Sequence, residues 1–78
     1  METEIAFTLP QSGEVSLEIY DILGRKIRTL VCDAYNAGYY SVSWNGLDDS
    51  GESVSSGMYF YKLTAEGVDF TKKMVLWK

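Results

Sequence analysis

Histidine is absent from the 78-residue sequence, and cysteine and proline each occur once. Without histidine the chain lacks the usual neutral-pH base, the Ser-His and Cys-His catalytic pairs and the commonest protein ligand of transition metals. The lone Cys32 has no partner for an internal disulfide. It could be a nucleophile or an intermolecular bridge, but a small apolar residue near a strand end is the simpler interpretation. We therefore expect no enzymatic activity, no cofactor and no metal site.

Long apolar runs and dense basic clusters are also missing. No segment approaches the roughly 20 consecutive apolar residues that a membrane-spanning helix needs. Eleven acidic against seven basic residues give a net charge of −4. This balance disfavours nucleic acid, because nucleic-acid-binding domains concentrate Lys and Arg on one face. We expect neither a membrane-spanning segment nor a nucleic-acid partner, and the oligomeric state stays open.

What the sequence does contain is a series of short segments in which apolar residues alternate with polar ones. This period of two predicts strands, and no stretch has the period of an amphipathic helix. The strands are expected over residues 4–9, 15–21, 26 to about 32, 39–44, 58–65 and 69–77. In the third, Ile27, Leu30 and Val31 break the alternation, which predicts a bulge or a twist. The pattern predicts an all-β domain, an antiparallel β-sandwich of six to seven strands.

The alternation also predicts which side chains face the core. In the sixth strand two phases are open: one directs Phe70, Met74 and Leu76 inward, the other Val75 and Trp77, and we favour the first. The inward residues of the other strands are expected to include Ile5, Phe7, Leu9, Val15, Leu17, Ile19, Tyr40, Val42 and Trp44.

Glycines and Asx residues mark the turns between the strands. Gly24 is well placed for the left-handed position of a tight reversal over residues 20–25. Gly38, Gly46 and Gly57 lie in separate turns, which predicts a role in backbone geometry and not a phosphate cradle. The Asp48-Asp49 segment offers oxygen ligands for a cation, but its spacing does not match a calcium loop. Asx-turn capping explains the same residues and is the interpretation that we favour.

The segment from Gly57 to Tyr61 resembles the tyrosine corner of immunoglobulin-like sandwiches. Tyr59 would occupy the corner and Tyr61 the position at which many such domains have a cysteine. We expect Trp44 to pack against Tyr61 and its neighbours at the centre of the domain. The outward-facing Met58 and Phe60 either form a contact patch or are covered by neighbouring loops, and both alternatives are open.

Four segments, in order along the chain, resemble the sequence pattern of a known family. Residues 15–27 are similar to the pattern V-x-L-x-I-Y-D-x-x-G-R-x-V, in which Gly24 and Arg25 are the G-R pair. The other segments are residues 37–46 with Gly38, Trp44 and Gly46, residues 56–63 with Gly57, Tyr59 and Tyr61, and residues 72–78. Together they resemble the immunoglobulin-like domain named after the flagellar hook-capping protein FlgD, and the related C-terminal sorting domain of the type IX secretion system.

The resemblance implies an immunoglobulin- or fibronectin-III-like sandwich over residues 1–78. It further implies the C-terminal module of a larger exported protein, which passes the periplasm and reaches the cell surface or the medium. In sorting-domain members, outer-membrane secretion and attachment proteins recognise the domain. In hook-cap members, the same fold is a structural module of an extracellular assembly. Fold alone does not choose between these functions.

Sorting is the main hypothesis, because Lys72, Lys73 and Lys78 give the last strand a basic end that secretion machinery could recognise. Charged protection of an edge strand explains the same residues. A structural assembly module is the first alternative. Carbohydrate binding is the second, and it depends on a row of exposed aromatic rings formed by Tyr20, Tyr35, Tyr39 and Trp77.

Overall fold

The segments of alternating apolar residues all become strands. The structure, a computed structural model, describes residues 2–77, and within that range it contains six strands and no helix. They are β1 (Thr3–Leu9), β2 (Gly13–Tyr20), β3 (Lys26–Tyr35), β4 (Gly38–Trp44), β5 (Gly57–Ala65) and β6 (Val68–Leu76). The predicted all-β fold is confirmed, with six strands in the described part of the chain.

The strands form two antiparallel sheets. β1 pairs with β4 in a two-stranded sheet, and the second sheet has the order β3-β2-β5-β6. One end of the sandwich, the Gly38 end, is where Leu9 pairs with Gly38 and the chain crosses from β1 to β2. The opposite end, the Gly57 end, is where Gly57 pairs with Leu76 and β2 ends.

The core lies between the sheets and is made of the inward-facing side chains of β1, β2, β4, β5 and β6, with Val31 of β3. The favoured phase of β6 is confirmed, since Leu76 is buried and Val75 and Trp77 are exposed. No polar or charged residue is buried in the described part of the chain. The buried hydrophobic residues are Ile5, Phe7, Leu9, Val15, Leu17, Ile19, Val31, Trp44, Tyr59, Leu63 and Leu76.

The predicted irregularity of β3 is present, and it occurs twice. The pairing register with β2 shifts between Leu17 and Glu18 and again between Ile19 and Tyr20, so that Leu30 and Ile27 are the extra residues of β3. Each bulge restores the phase that the sequence breaks. β3 also extends three residues beyond the predicted end at Cys32, because β2 begins at Gly13 and supplies pairing partners as far as Tyr35.

The prediction that Trp44 packs against Tyr61 and its neighbours is confirmed for the neighbour Tyr59, which is the ring partner of Trp44 in place of Tyr61. The Trp44 ring contacts Tyr59, with centroids 5.2 Å apart in a T-shaped arrangement. Tyr61 instead lies 6.3 Å from Phe70 of the adjacent strand and is only half-buried. Both tyrosines face inward, but Tyr59 is nearer the Gly57 end, and β4 brings Trp44 to that end of the sandwich.

Candidate functional site

The predicted tyrosine corner is present at the start of β5. The Tyr59 hydroxyl donates a hydrogen bond of 2.7 Å to the backbone carbonyl of Ser55, and Gly57 between them has a φ of 151°. Burial, and to a smaller degree the Asp21 carboxylate, raises the pKa of Tyr59 above its ordinary value. We call residues 55–59 the Tyr59 corner; it fixes the direction in which β5 leaves the Gly57 end.

A second corner of the same form, which was not predicted, starts β4. The Tyr40 hydroxyl donates a hydrogen bond of 2.6 Å to the carbonyl of Asn36, and the intervening Gly38 has a φ of 150°. We call residues 36–40 the Tyr40 corner. A signal for it exists in the sequence, because Gly-x-Tyr occurs at residues 38–40 and again at residues 57–59.

The loop after β4 is organised around Trp44 and Gly46. The Trp44 indole Nε1 donates to the carbonyl of Leu47 at 2.9 Å. Gly46 adopts a φ of 79°, and its carbonyl accepts the Val54 amide at 2.9 Å. This positive φ returns the loop over the indole, so both residues have a structural role.

The Asp48-Asp49 segment is a hydrogen-bonded turn. The Asp48 carboxylate accepts hydrogen bonds from the Ser50 amide, the Ser50 hydroxyl and the Glu52 amide, at 2.7–3.0 Å. The Ser50 hydroxyl makes the largest contribution to lowering the pKa of Asp48. Asp49 accepts the Thr29 amide at 3.1 Å. The predicted Asx-turn capping is confirmed, and residues 2–77 contain no group of three or more metal-ligating side chains.

The reversal between β2 and β3 is held by Asp21. Its carboxylate accepts the Leu23 and Arg25 amides and the Arg25 Nε, at 2.8–3.0 Å, and the Arg25 amide contributes most to lowering the pKa of Asp21. Gly24 has the predicted left-handed φ, 84°. The turn therefore holds Ile22 and Leu23 in solvent, where they are 66% and 74% exposed.

Two of the three lysines proposed for sorting, Lys72 and Lys73, lie on opposite faces of β6. Lys72 is opposite Tyr61 on the core-facing side of β6, and its Nζ lies 5.4 Å from the centroid of Phe70. Lys73 pairs with Phe60 on the outer side of the sheet. Neighbouring residues of a strand point to opposite faces, so one partner surface cannot meet both in the same way. Lys78 lies outside the described residues.

Exposed apolar side chains instead gather at the Gly57 end of the four-stranded sheet. Met58 and Val75 pair across β5 and β6 and are 46% and 49% exposed, and Trp77, just beyond β6, is 74% exposed. Ile22 and Leu23 project from the turn at the same end. We call these five residues the end patch. Of the two alternatives for Met58 and Phe60, exposure holds for Met58, whereas Phe60 is half-buried.

The aromatic residues proposed for carbohydrate binding do not form a row. Tyr35 packs with Phe7 and Tyr40, and the Tyr20 hydroxyl donates to Glu18 at 2.8 Å. Tyr39 lies at the Gly38 end and Trp77 at the Gly57 end. A flat sugar-binding platform from these four rings is therefore excluded by their positions.

Cys32 lies on the outer edge strand β3 and is exposed. Its side chain is therefore not part of the core, although its position three residues before the end of β3 agrees with the simple structural interpretation.

Residues 2–77 contain no helix that is long and apolar enough to cross a membrane.

Comparison with known proteins identifies a family for most of the chain. Residues 1–69 match the model of the FlgD Ig-like domain. The matched part therefore ends before Lys72 and Lys73, and before Val75 and Trp77 of the end patch. None of the curated proteins matches.

Two solved structures are similar along nearly the whole chain. FlgD from P. aeruginosa is 24% identical, with a TM-score of 0.77, and the match covers 97% of this chain and 61% of that one. FlgD from Xanthomonas campestris, described as providing insights into the hook capping essential for flagellar assembly, is 25% identical, with a TM-score of 0.74. That match covers 95% of this chain and 54% of the other. The chain thus spans less than two thirds of the length of either structure.

Proposed function

The chain belongs to the FlgD Ig-like domain family, and from this premise we propose that it is a non-catalytic structural module of an extracellular assembly. The observation that carries the proposal is the family match over residues 1–69. This is the structural alternative that the sequence left open, and we prefer it to sorting because both similar structures are FlgD proteins.

The distribution of polar groups supports a module that acts through its surface. The described core contains apolar residues and Tyr59, and the Tyr59 hydroxyl is used in its corner. The carboxylates with lowered pKa values, Asp21 and Asp48, are occupied by turn amides and by neighbouring side chains. Groups that are already engaged in holding turns are poor candidates for acid-base chemistry.

Export of the chain with its parent protein, as its C-terminal module, is part of the same proposal. The type IX sorting hypothesis and its outer-membrane partners stay predictions, because nothing in the comparisons bears on them. Lys72 and Lys73 support the sorting hypothesis less than the sequence suggested, because they occupy opposite faces of β6.

The proposal is tested with a chimera in which this chain replaces the matching part of X. campestris FlgD, expressed in a strain that lacks its own copy. We expect hook formation and swimming to be restored. The matched control is the same chimera with Trp44→Ala, which removes the central ring of the core and should not restore swimming. A chimera that is folded and exported at the normal level but forms no hooks would overturn the proposal.

A further inference from the structure

We propose that the end patch docks a short segment of another protein, in which apolar side chains stand next to carboxylates. The inference names the contact surface of the proposed assembly module and in that respect rests on the proposed function. Five of the six large hydrophobic residues that are exposed in residues 2–77 belong to this patch. Such concentration at one end of a domain is typical of an interaction surface and differs from single scattered residues.

The surface of the end patch is uneven as well as apolar. The Asp21-held turn is a ridge, and a shallow depression lies on each side of it. One, of about 380 Å³, is bordered by Leu23, Met58 and Tyr59. The other, of about 220 Å³, is bordered by Ile22 and Phe60. Because hydrogen bonds to Asp21 fix the ridge, docking requires little ordering of the turn, which lowers the entropic cost of binding.

The unpaired charge beside the patch is positive. Lys62 borders the smaller depression, and Lys73 is directly opposite Phe60 on the same outer face. Among residues 2–77 the ion pairs are Arg25–Asp21 and Lys26–Glu18, so neither Lys62 nor Lys73 has a carboxylate partner there. Glu18 lies opposite Lys62 in the sheet, but its carboxylate accepts the Tyr20 hydroxyl and pairs with Lys26, and Asp21 pairs with Arg25. A carboxylate beside an apolar side chain is therefore the complementary ligand.

A second copy of this chain fits the patch less well than a short segment. A standard protein–protein interface uses about 20–30 residues on each side, and the patch with its two lysines has far fewer. A symmetric dimer would also place the same surface on both subunits. Lys62 and Lys73 of both subunits would then lie in one interface, which would bring four positive charges together and supply no unpaired carboxylate from the patch.

The test is an NMR titration of the full ¹⁵N-labelled chain with two short synthetic peptides. One alternates leucine with glutamate, and in the other lysine replaces every glutamate. The expected result is shifts of the amides of Leu23, Met58, Lys62 and Lys73 with the glutamate peptide alone, weakened by added salt. The proposal is overturned if neither peptide shifts these amides, if both peptides do so equally, or if the shifts lie at the Gly38 end.

Charge reversal makes the test sharper. Lys62→Glu combined with Lys73→Glu should weaken binding of the glutamate peptide at least about tenfold and transfer the preference to the lysine peptide. Leu23→Ser should weaken binding of both. Tyr39→Ser, at an exposed residue of the opposite end, is the matched control and should change nothing. An unchanged preference in the double variant contradicts the charge assignment.

Sedimentation of the same samples separates this proposal from self-association. The wild-type chain should be monomeric at the concentrations used for titration. A dimer that Leu23→Ser dissociates would overturn the proposal in favour of a second copy. In the chimera, Leu23→Ser distinguishes the two proposals: loss of swimming agrees with both, whereas full swimming rejects the end patch and retains the structural function.

Discussion

The two tyrosine corners have the same local geometry and very different surroundings. In each, a glycine with a φ near 150° precedes by two residues a tyrosine whose hydroxyl binds the carbonyl four residues upstream. The Tyr59 corner opens β5, which is paired on both sides, whereas the Tyr40 corner opens β4, which pairs only with β1. Tyr59 is 7% exposed, and Tyr40 is half-buried.

The aromatic rings that contact the two corner tyrosines also differ in burial, and those at the Tyr59 corner are the more buried. Tyr59 meets Trp44, which is fully buried. Tyr40 belongs to a cluster with Phe7 and the half-buried Tyr35 at the rim of the Gly38 end. The comparison teaches that the motif sets the path of the chain, while the rings that cover it determine how much stability it contributes.

The largest expected effect comes from removing the ring that covers each corner. Trp44→Ala should lower the free energy of unfolding by about 3–5 kcal/mol, because it leaves a cavity in the core. Tyr35→Ala should cost less than half as much, since part of its ring is already in water. Urea unfolding followed by circular dichroism measures both, and equal losses would contradict the difference between the corners.

Replacing the corner glycines should reveal what the corners share. Gly57→Ala and Gly38→Ala force a side chain into a positive φ, which costs about 1–3 kcal/mol. A Cβ at Gly57 meets no atom within 4 Å, and one at Gly38 comes only to 3.9 Å from the Tyr40 ring. Strain is therefore the same at both sites, and the two variants should unfold at similar urea concentrations. A large difference would mean that the glycines have unequal roles.

Removing the hydroxyl groups should separate the corners again. Tyr59→Phe leaves a partly buried carbonyl without its donor and should cost about 1–2 kcal/mol. Tyr40→Phe should cost less, because water can replace the lost donor at an exposed carbonyl. The ratio of the two losses, measured by thermal unfolding of the matched variants, should exceed one, and the reverse order would contradict the environments described.

The smallest expected effect depends on pH. The pKa of Tyr59 is raised above its ordinary value of 10.0 in the folded chain. A raised pKa means that the unfolded chain loses the proton first, so the stabilising contribution is complete below pH 10 and declines as the pH rises through the folded pKa. Tyr59→Phe should make the alkaline loss of stability less steep.

Tyr20 allows a second, independent test of the same pH dependence. Its pKa is also raised, first by the hydrogen bond to Glu18 and then by burial. Tyr20→Phe should therefore remove a separate share of the alkaline loss, and the double variant should combine the two. If neither single variant changes the slope above pH 10, the folded chain does not hold these hydroxyls as described.

The fold was predictable because the alternation of apolar residues marks the strands, and where β3 breaks it two bulges restore the phase. The partner of Trp44 was not, since Tyr59 and Tyr61 both face inward and only the offset between the two sheets selects one. The Tyr40 corner was missed although residues 38–40 repeat the spacing of residues 57–59. The opposite faces of Lys72 and Lys73 follow from the strand period, because adjacent residues of a strand point to opposite sides of the sheet.

The end patch could be predicted only in part. Met58 was identified as an outward apolar residue, but the turn over residues 20–25 was interpreted only through its backbone. The turn residues Gly24 and Asp21 explain how the chain reverses. They do not predict the direction in which the side chains of Ile22 and Leu23 point. The assembly of these residues with Val75 and Trp77 requires the pairing of β5 with β6 and is a property of the tertiary structure.

The two bulges of β3 have a consequence for the behaviour of the protein in concentrated solution. β3 is an outer strand of its sheet, and a flat, regular outer strand would attract the edge of a second molecule and begin a growing fibril. Asp49 already occupies part of this edge, because its amide donates to the Ile27 carbonyl and its carboxylate accepts the Thr29 amide. Extra residues at Ile27 and Leu30 interrupt the spacing of the main-chain groups along this edge. A neighbouring chain therefore finds no continuous ladder to extend along the first part of β3, and edge-to-edge stacking is disfavoured there.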